Sequence, residues 1–303
     1  MLQQTRVETV IPYYLRFIEH FSNVEKLAAS SELNVLKMWQ GLGYYRRAKM
    51  LHKAAKEITL KYNGRLPGTR EELQTLPGFG PYTAGAVASI AFNECSPAVD
   101  GNVKRVLSRI FATNEAIDEI AQLAAQVDSP SEWTQALMEL GALICLPKNP
   151  KCLICPEQKI CKAYQTQTIE LFPAASKKVK VKKIFAVTWI IQNAQKNKIL
   201  IQQRPDEGRW AGMWEFPFLE FEKKTHSNLN MHSFEFPIEE SKPLGSFTHQ
   251  LTHQTIHVDV IHAQTRAKTS STKKQKWIPI QKLADFPISK MQLKAWELFK
   301  TKN

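Results

Sequence analysis

The tightest constraint in this 303-residue chain is a run of cysteines. Cys145, Cys152, Cys155 and Cys161 are spaced C-x6-C-x2-C-x5-C. Four thiolates in one short, irregular loop can wrap around metal. Three outcomes are open: one [4Fe–4S] cluster, one tetrahedral zinc, or buried free cysteines. Zinc ribbons usually pair two C-x2-C knuckles, and only one is present. The uneven spacing suits a cubane better, because each corner iron takes one thiolate. Crowding four of the five cysteines together argues for a metal site in a reducing compartment rather than a disulfide framework. The fifth, Cys95 in NECSP, reads as a small, partly buried residue.

The length suits two domains, each able to bury a core. No apolar run is long enough to span a bilayer, and no charged n-region precedes an apolar h-region, so no membrane partner is expected. The formal charge of +13 and pI near 9.5 suit a nucleic-acid partner or simply a generally basic surface, and alone do not separate the two.

Residues 1 to about 165 read as helical, with amphipathic stretches at roughly 6–20, 33–40, 46–62, 70–75, 82–92, 101–111, 116–127 and 131–145. In the first, Val7, Val10, Ile11 and Tyr14 fall at i, i+3, i+4, i+7 and predict one buried face. Residues 166–183 lose the periodicity and end in Lys177, Lys178, Lys180, Lys182 and Lys183, as an exposed linker would. From 184 to 303 the pattern is α+β. IFAVTWII (184–191), KILIQQR (198–204), TIHVDVIHAQ (255–264) and KWIPIQKL (276–283) read as strands, and the segment around Trp296 as a closing helix.

Two motifs carry chemistry in the helical part. LQTLPGFGPYTAGAVASI (73–90) reads as helix, glycine turn, helix. Pro77 stops the first helix, Gly78 and Gly80 allow positive φ and close approach to a ligand, and the second helix offers its N-terminus to a phosphate. A plain αα-turn explains the same residues. VDGNVKRVLSR (99–109) places Asp100 before Gly101 and Asn102 at the head of a basic helix, where an N-cap is the ordinary role for aspartate.

LPGFGPYTAG, VDGNVKRVLSR and ALICLPKNPKCLICPEQKIC together resemble the helix-hairpin-helix, iron–sulfur DNA glycosylases. MLQQTRVETVIPYY (1–14) and WQGLGYYRRAKMLHKAA (39–55) resemble the adenine-specific, MutY-type branch. The resemblance covers nearly the whole chain. It implies an all-α helix-hairpin-helix glycosylase domain over 1–165 with an iron–sulfur loop at 145–161, the linker 166–183, and an α+β Nudix-like lesion-recognition domain over 184–303. Endonuclease III, the nearest rival, has a Schiff-base lysine in the hairpin where this chain has Tyr82. A tyrosine cannot serve as that amine, so the resemblance implies a monofunctional glycosylase.

The family removes adenine mispaired with 8-oxoguanine or guanine in double-stranded DNA, as a step of base excision repair. The adenine leaves the stack, and its N-glycosidic bond breaks through a cationic sugar that a carboxylate stabilises. Asp100 matches that carboxylate, and Tyr82 and Asn102 match residues that line the site. Tyr44 matches a wedge beside the lesion; Leu2, Gln3 and Gln4 match the loop that fills the gap; Gly78 and Gly80 belong to the phosphate-binding hairpin. In the cysteine loop, Lys148 and Lys151 are candidate phosphate contacts. An H-x-F-S-H hairpin reads 8-oxoguanine in the family. HQLTH (249–253) fits it with Thr252 and His253, while SFTHQ (246–250) offers Thr248 and His249 instead. The Mg²⁺-binding glutamate run of Nudix hydrolases is not found, so the second domain is expected to bind and not to cut. A monomer in the bacterial cytoplasm, at the nucleoid, is expected.

The resemblance departs in two places. The family's second acid is a glutamate two residues before the methionine of M-L-Q-Q-T, and nothing precedes Met1 here. A misassigned start, a fragment or degraded gene, and a lesion binder that no longer cuts all account for this. The chain as given is expected to release little adenine. The stretch FATNEAIDEIAQLAAQVDSPSEW (111–133) is also several residues shorter than the family pattern.

Overall fold

The computed structural model describes residues 1–174, 181–222, 236–267, 271–272 and 274–302. Lys177, Lys178 and Lys180 of the expected linker lie outside the described residues. The helices are α1 (Val7–His20), α2 (Val24–Ala29), α3 (Glu32–Trp39), α4 (Arg46–Lys61), α5 (Arg70–Gln74), α6 (Pro81–Phe92), α7 (Gly101–Phe111), α8 (Ile117–Ala124), α9 (Pro130–Leu143), α10 (Lys162–Gln165) and α11 (Lys290–Lys302). The strands are β1 (Lys182–Asn193), β2 (Lys198–Gln203), β3 (Trp214–Glu215), β4 (Phe218–Phe221), β5 (Glu240–Gln250), β6 (Gln254–Thr265) and β7 (Gln275–Pro279). No helix among the described residues is long and apolar enough to cross a membrane.

The chain divides into two compact units. One holds residues 1–52 together with the C-terminal part from residue 179; the other holds residues 53–178. Helix α4 is shared between them.

The first unit is built on a seven-stranded mixed sheet in the order β3-β2-β1-β6-β5, with β4 on β1 and β7 on β2. β1 runs parallel to β6, and the other pairs are antiparallel. β1 is buried on both faces, so its sequence is a nearly unbroken apolar run. Ile184, Ala186 and Ile190 face one way, onto Met291, Ala295 and Phe299 of α11. Val187, Trp189 and Ile191 face the other way, with Leu200 and Trp277.

α1 corrects the expected buried face. Val10 and Phe17 are buried, but Val7, Ile11 and Tyr14 are at least half exposed. The packed line runs through Val10, Tyr13 and Phe17, where Phe17 meets Trp39 of α3 edge to face at 6.0 Å. The apolar stripe of α1 is wider than its contact with α3, and periodicity alone did not show which edge of the stripe packs.

The second unit is helical. α7 lies among α8, α9 and α10, and α6 packs on α5 and α9. Val103, Val106, Leu107, Ile117, Ala121 and Leu137 form a core there. Residues 169–171 make a 3-10 turn, and the stretch that follows is tied to the same helices. Arg109 Nε donates to the Phe172 carbonyl at 2.9 Å, and the Ala174 amide donates to Asn114 Oδ1 at 2.6 Å.

Candidate active site

The hairpin forms as its residues require. α5 ends at Gln74, the chain turns through Leu76 and Gly78, and α6 starts with Pro81 in its first turn, where a missing N–H costs nothing. Gly78 takes φ +84°. Gly80 does not: it is extended at φ −72° and N-caps α6. A Cβ there would meet no atom within 4 Å. The space in front of this helix start is therefore open, and the positive φ belongs to Gly78 alone.

Asp100 is the N-cap of α7. Its Oδ1 accepts from the backbone N–H of Asn102 at 2.8 Å and of Val103 at 2.7 Å. Oδ2 has only a long contact, 3.5 Å, from the Asn102 side-chain amide. One carboxylate oxygen is thus fixed by the helix start, and the other has only that long contact among the described residues. Tyr82 stands near enough to feel the Asp100 charge. Burial first, and that charge second, push its phenol pKa above the usual range.

Arg105, one turn along α7, was not singled out from the sequence. It is 7% exposed. Its Nη2 donates to Asn102 Oδ1 at 2.9 Å and to the Gly141 carbonyl at 2.7 Å, and its Nε donates to the Cys145 carbonyl at 2.7 Å. This orients the Asn102 amide toward Asp100 and ties the cap to the cysteine loop. Arg109, the next residue on that face, donates to the Leu146 carbonyl at 2.8 Å and lies 3.4 Å from Cys145 Sγ. Asn102, Arg105 and Arg109 recur at i, i+3, i+7, a polar line on a buried face, which is the signal that could have found them. Gly141 of α9 lets the helices close: a Cβ there would stand 2.7 Å from Asn102 Cβ.

Cys145, Cys152, Cys155 and Cys161 line one cavity, walled by Val106, Ile110, Leu140 and Ile144 and flanked by Arg109. Burial pushes the Cys152 thiol up, and the neighbouring Cys145, Cys155 and Cys161 push the same way. Burial also raises Cys155. Among the described residues, no three His, Cys, Asp or Glu side chains are placed to hold a single ion. The donor set is four soft sulfurs around one apolar hollow, with a guanidinium beside it. Such a donor set suits a thiolate-bound metal group. Lys148 and Lys151 are exposed on this loop.

The other candidate residues lie in the first unit. Leu2, Gln3 and Gln4 are exposed in the turn before α1. Tyr44 is 46% exposed and adopts φ +48°, a left-handed conformation that is costly for a tyrosine. Thr252 and His253 are exposed at the tip of the β5–β6 hairpin, and Tyr44 Oη meets Thr252 Oγ1 at 2.6 Å. Thr248 and His249 sit lower, within β5. Thr248 Oγ1 contacts His257 Nδ1 at 3.3 Å. His249 packs edge-on to Trp210 at 6.1 Å. Burial, with Lys294 and Lys290 nearby, lowers the His249 pKa to about 4. In the same domain, Glu215 and Glu220 are each engaged by an arginine, Arg204 and Arg209.

Residues 1–128 match the family described as HhH-GPD superfamily base excision DNA repair protein, and residues 187–298 match the NUDIX domain. An adenine DNA glycosylase of Buchnera aphidicola subsp. Baizongia pistaciae is 38% identical over 270 residues, covering 86% of this chain and 76% of that protein. The adenine DNA glycosylase of Rattus norvegicus is 30% identical over 361 residues, covering 99% of this chain and 70% of that protein. Among solved structures, a thermostable thymine-DNA glycosylase superposes with a TM-score of 0.50 at 28% identity, over 55% of this chain and 80% of that one. With its helix-hairpin-helix part, its Nudix-like part and relatives matched over most of their length, the chain belongs to the adenine DNA glycosylase family.

Proposed function

We propose that this chain is a monofunctional DNA glycosylase of base excision repair, hydrolysing the N-glycosidic bond of adenine paired with 8-oxoguanine or guanine in double-stranded DNA. The observation that carries this is the Asp100 cap, with Oδ1 consumed by two backbone N–H groups and Oδ2 open beside a neutral Tyr82. A carboxylate fixed in this way meets the developing positive charge on the sugar without first reorganising. Asn102, aimed by Arg105, faces the open oxygen from 3.5 Å. Tyr82 takes the place where the lyase branch carries its lysine, so no Schiff base with the sugar forms at this position.

The hairpin at Gly78 and Gly80 would take a DNA phosphate on its backbone N–H groups. Thr252 and His253 are the lesion readers under this proposal. They are exposed at a hairpin tip, and Thr252 bonds Tyr44, the wedge; Thr248 contacts His257 of β6, and His249 packs on Trp210. Cys145, Cys152, Cys155 and Cys161 would hold a [4Fe–4S] cluster. When bound, it would brace the loop that carries Lys148 and Lys151; hydrolysis calls for no electron.

Asp100→Asn tests the assignment. Asparagine caps helices about as well as aspartate, so the fold should change by only a few tenths of a kcal/mol. Base release, which is expected to be slow already in the unmodified chain, should fall by a further factor of about 10²–10³, the size of losing one preorganised electrostatic partner. Single-turnover cleavage of an A:8-oxoguanine duplex measures it. Equal rates in the two proteins would remove Asp100 from the chemistry. Tight, lesion-selective binding with no release by the unmodified chain would favour a lesion binder.

A further inference from the structure

Arg47 stands where two lesion-facing elements meet. Its Nη1 donates to the carbonyls of Met1 (2.8 Å) and Gln3, and its Nη2 to Thr5 Oγ1 (3.2 Å) and the Gly43 carbonyl (3.4 Å). The guanidinium carbon sits 5.4 Å from the ring centres of both Trp39 and Tyr44. Trp39 is 1% exposed, and its indole N–H donates to the Gly43 carbonyl at 3.0 Å, so one face of this platform is rigid. The loop it grips is a tight turn. The Thr5 amide bonds the Leu2 carbonyl at 3.2 Å, and Gln4 takes φ +55°.

We propose that Arg47 is a positioning residue for lesion reading, with one guanidinium holding the Leu2–Gln4 loop and the Tyr44 wedge in a fixed relation. This rests on the reading above that those elements face the lesion. Arg47 grips backbone carbonyls and a ring face, so it sets where the loop sits without fixing which side chains the loop presents. The geometry needs a planar fork. A lysine ammonium has no plane to stack against Trp39 and Tyr44, and its donors do not form a fork that reaches both sides.

Arg47→Lys keeps the charge and removes the fork. The experiment measures equilibrium binding to three duplexes: an uncleavable adenine analogue opposite 8-oxoguanine, the same analogue opposite guanine, and an undamaged duplex. 2-Aminopurine beside the lesion reports wedge insertion. Affinity for the 8-oxoguanine duplex should fall about tenfold, the loss expected of charge-assisted hydrogen bonds. Binding to undamaged DNA should change less than about twofold, and the 2-aminopurine signal should drop. An equal loss on all three duplexes, or no loss, would overturn the proposal. A wild-type chain with no preference for 8-oxoguanine would overturn the functional reading and this proposal with it. Thr5→Val removes the bond from Arg47 Nη2, together with the 3.3 Å bond from the Thr5 hydroxyl to the Gln3 carbonyl, with no change of charge. It should produce a smaller loss in the same direction, about two- to threefold, and keeps the test decisive if Arg47→Lys folds poorly.

Discussion

Gly141→Ala separates local helix propensity from packing at the site. In an isolated helix the change would stabilise by about 1 kcal/mol. Here the new Cβ would stand 2.7 Å from Asn102 Cβ, with the Asn102 carbonyl carbon and Cα at 3.2 and 3.3 Å. Carbon atoms prefer separations of about 3.5–4.0 Å, so α9 must retreat from α7 by about 1 Å. Overpacking of this kind costs about 1–3 kcal/mol. The retreat also stretches the 2.7 Å bond from Arg105 to the Gly141 carbonyl, a charged and buried hydrogen bond worth about 1.5–3 kcal/mol. Less the propensity gain, the net cost is about 1.5–5 kcal/mol, which at about 2–4 °C per kcal/mol thermal melting would read as a drop of roughly 3–20 °C. Asn102 moves with the contact and carries the Asp100 oxygen out of line. A displacement of about 1 Å at reacting groups costs about 10²-fold in rate. Melting and single-turnover cleavage together are the assay. A variant that melts higher than its parent and cleaves as fast would refute the argument, because helix propensity would then outweigh the Asn102 contact.

His249 gives a pH signature. Its folded pKa is about 4 against 6.5 in the unfolded chain, so between these values the unfolded chain binds a proton that the fold refuses. Stability should fall as pH drops from about 6.5 to 4 and level off below. The loss should be about 1–2 kcal/mol after discounting for partial exposure, and His249→Gln should flatten that interval in pH-dependent denaturation. The chain purified without oxygen should carry iron and acid-labile sulfide, and Cys152→Ser should lose both; zinc in place of iron would refute the cluster. Tyr44→Phe and Thr252→Val should each weaken binding to the 8-oxoguanine duplex by about 0.5–1 kcal/mol, and the double variant by no more than either alone. Additive losses would mean that the hydroxyl pair is not coupled.

The sequence was most legible where its partners are close in the chain. Asp100 caps the amides of Asn102 and Val103, and D-G-N before an amphipathic helix announces that by itself. The cysteine spacing is equally local. Arg105 and Arg109 were missed because their partners, Gly141, Cys145 and Leu146, are 36 to 40 residues away. β5 was missed for a related reason: ESKPLGSFTHQ contains a proline and a glycine and looks broken. β6 pairs along its length and absorbs the break as an irregularity between Pro243 and Gly245, so tertiary pairing overrides propensity. α2 is only six residues long, too short to show a period. The expected strand at 276–283 holds only to Pro279, where the chain bends into a 3-10 turn. Gly80 was assigned the positive φ that only Gly78 uses.

The division into units assigns the proposed tasks to different bodies. Leu2, Gln3, Gln4, Tyr44, Arg47, Thr252 and His253 belong to the unit formed by residues 1–52 and the C-terminal part, while Tyr82, Asp100, Asn102, the hairpin and the cysteines belong to residues 53–178. The first 52 residues are helical, yet they are bonded to the sheet domain. Lys37 approaches Asp285 at 3.5 Å, the Ile288 amide donates to Gln40 Oε1 at 3.3 Å, and Tyr44 meets Thr252. Under the proposed function the lesion is identified on one strand and the base is cut on the other, and each task needs its own rigid shell. Substitutions within the reading unit should therefore change the preference for 8-oxoguanine over guanine at nearly constant maximal rate. Substitutions around Asp100 should change the rate at nearly constant preference. The physical basis is that residues sharing no partner couple weakly, whereas Arg47 and Arg105 each join several functional groups through a single guanidinium.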